Sequence, residues 1–445
     1  MTQTTFTIGT LGCKVNHADS EAIAAALIDK GMVPAQAGTQ ADVVVVNTCT
    51  VTHLGDRSSR QMISQERRLS PNALVVATGC YAQVSPQAVA ALHGVDVVVT
   101  NTEKDSLANT IVERLGNFSP QSTKIDRALS LPMLDNTISV ADNPDRQLAL
   151  IMGRTRSQVK VQDGCDNRCT YCIVPTARGA SRSRTIADVV AYAQRKEAAG
   201  IQEIVLTGVH LGDYHPTEQE DLGTLLTALL HETGIPRIRV SSLEPEDFKL
   251  DWLELWQNPR LCRHLHLPLQ SGSDTILRKM ARHYLADRYR TIATTAQDAI
   301  PGLALTTDII VGFPGETDED AARTYELAQE LAFSKMHVFR FSARAGTAAA
   351  RMRGTVPETI KRQRSEQLLT LNAQLQQAFR ARHLHQSVQV LWEGQRSWGW
   401  EGLTDNYLRV ELTGDAIPPQ RDLHHTITWA TVTAITPEGV AGYVQ

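Results

Sequence analysis

Gln162-Asp-Gly-Cys165-Asp-Asn-Arg-Cys169-Thr-Tyr-Cys172 follows directly on the alternating stretch Val159-Lys-Val-Gln, which reads as a β-strand. Three thiols spaced C-x3-C-x2-C on one loop suit three irons of a cubane [4Fe–4S] cluster and leave the fourth iron without a protein ligand. That vacant iron has room to chelate the amino and carboxylate groups of S-adenosylmethionine. An electron from the cluster then cleaves the sulfonium to a 5′-deoxyadenosyl radical. A zinc knuckle is the alternative, but zinc takes four N or S ligands, and the nearest histidine, His210, is far along the chain.

Working outward, five further apolar segments are each separated by helix-length sequence: Ile204-Val-Leu-Thr, Ile238-Arg-Val-Ser, Leu265-His-Leu, Asp308-Ile-Ile-Val and His337-Val-Phe-Arg-Phe. About six βα units predict a partial TIM-like (βα)6 barrel over residues 151–380. The cysteine loop then lies at the C-terminal end of the first strand, the face where barrel enzymes place their chemistry. Pro357 opens a long polar helix whose Leu368, Leu371, Leu375 and Phe379 form one stripe, expected to pack on the barrel. From about residue 381 to 445 short alternating segments such as Val388-Gln-Val-Leu and Leu408-Arg-Val-Glu-Leu predict a small all-β appendage.

Toward the N-terminus, residues 1–115 also alternate strands and helices. Phe6-Thr-Ile-Gly-Thr-Leu, Asp42-Val-Val-Val-Val, Leu74-Val-Val-Ala and Val95-Asp-Val-Val-Val read as strands of a flavodoxin-like parallel sheet. Residues 116–150 gather Ser, Pro, Asn and Asp and read as a linker. Cys13, Cys49 and Cys80 each follow one of the N-terminal strands, and parallel strands deliver their C-terminal ends to one edge. Three thiols are therefore expected to converge there, against the plainer reading of buried small hydrophobes. Cys262 has no partner nearby in sequence and reads as structural.

The 445-residue chain exceeds what one core serves. Its seven cysteines are an odd number, without an export signal, which favours metal ligation over disulfides. Met1-Thr-Gln-Thr-Thr-Phe carries no basic and apolar leader, and no uncharged run spans a bilayer, so a cytoplasmic location without membrane contact is expected.

These residues resemble the radical S-adenosylmethionine methylthiotransferase family over nearly the whole chain. The motifs that carry the resemblance are Leu11-Gly-Cys-Lys-Val-Asn, Asn47-Thr-Cys-Thr-Val-Thr, Thr78-Gly-Cys-Tyr-Ala-Gln, Lys160-Val-Gln-Asp-Gly-Cys, His266-Leu-Pro-Leu-Gln-Ser-Gly-Ser-Asp and Thr307-Asp-Ile-Ile-Val-Gly-Phe-Pro-Gly-Glu-Thr. The resemblance implies that Cys13, Cys49 and Cys80 bind an auxiliary [4Fe–4S] cluster that handles the inserted sulfur. It implies that Cys165, Cys169 and Cys172 bind the radical-generating one, and that the terminal segment is a TRAM domain. Lys14-Val15-Asn16 and Gly402-Leu-Thr-Asp-Asn-Tyr look like the MtaB branch, which forms the 2-methylthio derivative of N6-threonylcarbamoyladenosine beside the anticodon of transfer RNA. Isopentenyladenosine in transfer RNA, or an aspartate in a ribosomal protein, is the alternative substrate. A second S-adenosylmethionine is implied as methyl donor, with an external electron donor and sulfur source. An adenine C2–H is neither acidic nor readily displaced, so radical abstraction suits it.

Thr207, Gly208, Gln270, Ser271, Asp308 and Gly312 stand at predicted strand ends and are the candidates for contacting the cofactor, although turn chemistry explains the glycines nearly as well. Basic residues gather at Arg154, Arg156, Lys160, Arg168, Arg178, Arg182 and Arg184, and again at Arg340, Arg344, Arg351, Arg353, Lys361, Arg362 and Arg364. Arg178, Arg182, Arg184, Arg344, Arg351 and Arg353 are the expected RNA contacts. In the terminal segment Glu393, Glu401, Asp405, Glu411, Asp415, Asp422 and Glu438 outnumber the bases, which leaves Tyr407 and Arg409 as its candidates for stacking or bridging.

Overall fold

The computed structural model describes residues 3–36, 38–117, 155–416 and 422–444. The expected linker from residue 118 onward, and Arg154, lie outside the described residues. The chain forms two compact units, Met1–Gly153 with Thr176–Arg178, and Arg154–Pro175 with Gly179–Gln445.

In the first unit β1 (Thr5–Thr10), β2 (Val33–Pro34), β3 (Val43–Thr48), β4 (Leu74–Gly79) and β5 (Val97–Val98) form a parallel sheet in the order β2-β1-β3-β4-β5. This is the flavodoxin-like order expected from the sequence. β3 and β4 are apolar without alternation because both faces are covered. Val43, Val45, Leu74 and Val76 pack with Leu27 and Ile111 on one side, while Val44, Val46, Val75 and Ala77 pack with Ile63 and Val89 on the other. The edge strand β2, two residues ending in Pro34, is too short to leave a sequence signal.

The second unit begins with β6 (Arg156–Lys160), β7 (Gln162–Asp163), β8 (Arg182–Ser183), β9 (Glu203–Thr207), β10 (Arg237–Val240), β11 (His264–His266), β12 (Ala304–Val311) and β13 (Lys335–Arg340). Strands β6, β9 and β10 pair in parallel, as do β11, β12 and β13. Parallel bridges Ile238↔Leu261 and Ser242↔His266 join the two groups. The result is the partial (βα)6 barrel. β7 and β8 pair antiparallel, Gln162 with Ser183 and Asp163 with Arg182, and clamp the base of the cysteine loop.

The helix Glu358–Ala381 buries Leu368, Leu371 and Phe379, with Leu375 half-buried, so the apolar stripe does face the protein. Burying each such side chain contributes about 1.5–3 kcal/mol. Asn372 on this helix accepts the Met336 backbone N–H of β13 at 2.8 Å. The chain then closes a small barrel from β14 (Ser387–Arg396), β15 (Gly399–Thr404), β16 (Arg409–Thr413), β17 (Ile427–Ile435) and β18 (Val440–Val444), in the order β14-β15-β16-β18-β17. Closure leaves no open sheet edge, and Val390, Trp392, Val410, Leu412 and Val432 fill the interior. Arginines hold this barrel to the (βα)6 strands, and Arg156 of β6 pairs with Glu393 of β14 at 2.7 Å. Arg237 donates to the carbonyls of Leu403 and Gln389, Arg239 to that of Asp405, and Arg263 to the Asp405 carboxylate at 2.7 Å. No helix among the described residues is long and apolar enough to cross a membrane.

Candidate metal centres

Cys165, Cys169 and Cys172 leave the C-terminal side of β6, and each thiol has a hydrogen-bonding neighbour. His210 Nδ1 lies 3.6 Å from Cys165 Sγ, Arg282 Nη1 3.2 Å from Cys169 Sγ, and the Val174 backbone N–H donates to Cys172 Sγ at 3.4 Å. Each of the two side-chain donors is itself anchored. Asp247 holds His210 Nε2 at 2.5 Å, and Glu244 and Glu246 hold Arg282 Nη2. Burial opposes the charge on His210, yet hydrogen bonds to Asp247 and Cys165 raise its pKa to about 11. The histidine that is remote in sequence is near in space, with Nδ1 facing Cys165 and Nε2 held by Asp247.

Burial, followed by the charges of Cys169 and Cys165, pushes the Cys172 thiol up to about 12. Burial likewise raises Cys169, with Arg282 opposing. Clustered buried thiolates need a compensating cation, and metal coordination supplies it. The loop offers three thiols, the donor set of a [4Fe–4S] cluster with one iron left open.

In the first unit, Cys13 caps the N-terminus of the helix Lys14–Asp29, Cys49 follows β3 directly, and Cys80 opens the short helix Cys80–Val84 after β4. The parallel register, Thr10 beside Asn47 and Thr48 beside Gly79, brings the three strand ends together. Gly12 lets them approach. Its φ is +96°, and a Cβ there would stand 2.9 Å from Cys49 Sγ. Burial, then the charges of Cys80 and Cys13, raises the Cys49 pKa to about 11. Burial also raises Cys80, against the opposing charges of Arg178 and Lys104. Cys13 is exposed, and the three together offer the same all-sulfur donor set as the loop. Cys262 is 2% exposed and lies at neither site.

The six cofactor candidates separate by environment. Thr207 is wholly buried at the end of β9, and its hydroxyl has no hydrogen-bond partner among the described residues. Gln270 takes φ +61° while its backbone bridges Asp308 and Ile310. Asp308 faces His266 Nε2 at 3.4 Å. The other three have packing reasons. A Cβ at Gly208 would stand 2.9 Å from Gln162 Oε1, the group that accepts from His210 N. Ser271 is fully buried, and its hydroxyl accepts from Ser273 N. Gly312 has φ +73° beneath Lys361, whose Cγ a Cβ would meet at 2.3 Å.

Two of the six expected RNA contacts are buried, which corrects their assignment. Arg178 is 6% exposed and donates to Asn16 Oδ1 at 2.5 Å and Asp19 Oδ2 at 3.1 Å, and Arg344 is 8% exposed. Arg184 donates to the Lys160 and Asp188 carbonyls. Arg182, Arg351 and Arg353 are exposed. Tyr407 is also corrected as a stacking platform, because the Arg239 guanidinium lies 3.8 Å from its ring centroid and His264 packs edge-on at 4.5 Å. Arg409 is exposed and pairs with Glu401 at 3.3 Å. Sequence reasoning missed Arg282, Glu244, Glu246 and Asp247. The one available signal was position, since Glu244, Glu246 and Asp247 follow β10 on the barrel's catalytic face.

Residues 159–328 match the Radical SAM superfamily, and residues 5–100 match the Uncharacterized protein family UPF0004. The chain is 37% identical over 413 residues to the threonylcarbamoyladenosine tRNA methylthiotransferase MtaB of Bacillus subtilis, covering 91% of this chain and 89% of that protein. The chain belongs to the radical S-adenosylmethionine methylthiotransferase family. A second member, the tRNA-2-methylthio-N(6)-dimethylallyladenosine synthase of Mycolicibacterium gilvum, is 34% identical over 383 residues, 83% of this chain and 73% of that one. The fold of this methylthiotransferase is also that of the radical S-adenosylmethionine methyltransferase TsrM from Kitasatospora setae. The TM-score is 0.54 at 15% identity, covering 76% of this chain and 72% of that one.

Proposed function

We propose that this radical S-adenosylmethionine enzyme attaches a methylthio group to C2 of N6-threonylcarbamoyladenosine in transfer RNA. The reading is carried by the presence of two separate three-thiol sites, one on the barrel loop and one at the sheet edge of the first unit. One site answers to radical generation and the other to sulfur handling. The choice of base rests on likeness to the Bacillus subtilis protein over nearly the full length of both chains.

When bound, a [4Fe–4S] cluster with one open iron and S-adenosylmethionine supply a radical able to take a hydrogen atom from an unreactive C–H. The chain's own residues do the holding. Cys165, Cys169 and Cys172 ligate the barrel cluster, while His210 and Arg282 donate to its sulfurs and fix their orientation. Cys13, Cys49 and Cys80 ligate the auxiliary cluster. Thr207 and Gln270 line the strand ends where S-adenosylmethionine binds, and Arg182, Arg351 and Arg353 meet phosphates. An external electron donor and a sulfur source complete the reaction.

Mass spectrometry of transfer-RNA nucleosides tests this. Deleting the gene should abolish the 2-methylthio form of threonylcarbamoyladenosine, and the wild-type protein, but not Cys49→Ala, should restore it. Unchanged levels of that nucleoside, with loss of 2-methylthio-dimethylallyladenosine instead, would overturn the choice of base.

A further inference from the structure

His266, Asp308 and His337 come from three adjacent parallel strands, β11, β12 and β13, and their polar atoms lie within 4.8 Å of one another. Asp308 and His337 are register partners, and Asp308 stands two residues beyond Thr306, the partner of His266. Side chains two apart on a strand share a face. That face is the concave one. Thr307, on the opposite face, meets Tyr289 of the covering helix Ala286–Ala299, with 3.3 Å between the two hydroxyl oxygens. Thr306 Oγ1 holds His266 Nδ1 at 2.9 Å and His264 Nε2 at 3.0 Å, which turns His266 Nε2 toward Asp308. The cluster runs from buried His266 through half-buried Asp308 to exposed His337. Further along the same face of β12, Ile310 packs into an apolar cluster with Phe313, Phe341 and Tyr171.

We propose that His266, Asp308 and His337 form the subsite that reads the polar, anionic threonylcarbamoyl group of the substrate base. The proposal rests on the function given above. The two substrates named for the relatives differ in chemistry at this point. A threonylcarbamoyl group carries N–H donors, a hydroxyl and a carboxylate, whereas a dimethylallyl group is hydrocarbon. Asp308 accepts from a hydroxyl or N–H, and His337 at the rim meets the carboxylate. A hydrocarbon in the same place would take these groups out of water and offer them no hydrogen bond, and such sites discriminate strongly against ligands lacking the matching polar group.

The test uses the full chain, reconstituted anaerobically with both clusters, and three synthetic anticodon stem-loops that differ only in carrying adenosine, N6-threonylcarbamoyladenosine or N6-dimethylallyladenosine. Fluorescence anisotropy gives each Kd. Wild-type protein should bind the threonylcarbamoyl loop at least tenfold tighter than the other two. His337→Ala, at an exposed position, and Asp308→Asn should each cut that preference at least fivefold while leaving the adenosine loop's Kd and the cluster absorption unchanged. Equal wild-type affinity for all three loops, or a preference that survives both substitutions, would overturn the subsite. Failure of the wild-type enzyme to methylthiolate the threonylcarbamoyl loop would instead overturn the proposed function.

Discussion

Arg282 Nη1 stands 3.2 Å from Cys169 Sγ, although 113 residues separate the two in sequence. The guanidinium is buried and its other nitrogen is held by Glu244 and Glu246, so it cannot swing away from the sulfur. A charged donor stabilises the more negative, reduced state of the adjacent centre. Arg282→Gln should therefore lower the midpoint potential of the barrel cluster by on the order of 60 mV, the one-electron equivalent of about 1.4 kcal/mol. Redox titration followed by electron paramagnetic resonance, in Cys13→Ala protein that retains the barrel cluster alone, measures it. An unchanged potential would assign Arg282 to packing.

Arg239 and Glu203 are both fully buried, with Nε 2.7 Å from Oε1, and Arg239 also supports Tyr407 and the Asp405 carbonyl of the terminal barrel. Removing Arg239 takes away the nearest partner of buried Glu203 and leaves Arg237 at 3.9 Å, so Arg239→Met should destabilise the second unit by about 3 kcal/mol. The double variant Arg239→Met/Glu203→Gln should recover part of that loss. Urea unfolding followed by tryptophan fluorescence checks both.

The attachment of the terminal barrel should be acid-labile. Burial opposes ionisation of Asp405 and Glu203, but Arg263 and Arg239 respectively overcome it and hold each carboxyl below its ordinary value. A carboxyl whose folded pKa lies below its unfolded pKa contributes stability above the ordinary carboxylate range and loses it as pH falls through the folded value. Stability should be flat above about pH 5 and decline below about pH 4. Asp405→Asn should make the decline shallower in unfolding experiments across that range.

Arg351 and Arg353 are exposed where Arg178 is buried against Asp19. Arg351→Ala and Arg353→Ala should each reduce the slope of log K against log salt for stem-loop binding by about 0.7, the loss of one phosphate contact to unpaired RNA. Arg178→Ala should leave that slope unchanged and lower the stability of the first unit instead. Filter binding across a salt series, with thermal unfolding of each variant, separates the two behaviours.

The sequence by itself determined the longer elements and the two cysteine trios, but not the two-residue strands β2, β7 and β8. Apolar runs such as Val43–Val46 mark strands buried on both faces, and the spacing of Leu368, Leu371 and Phe379 marks one helix stripe. Cysteines placed just after parallel strands must converge, because such strands end at one edge. These are local or periodic facts, and local patterning carries them. Only the tertiary structure decided which side chains meet across strands. His210 beside Cys165, Arg282 beside Cys169, Arg178 against Asp19, and His266 with Asp308 and His337 depend on strand register and barrel closure over separations of 29 to 159 residues. Arginines expected to meet phosphate were buried for the same reason. A guanidinium's charge is visible in the sequence, but whether a carboxylate or a solvent-facing surface awaits it is set by how distant segments pack.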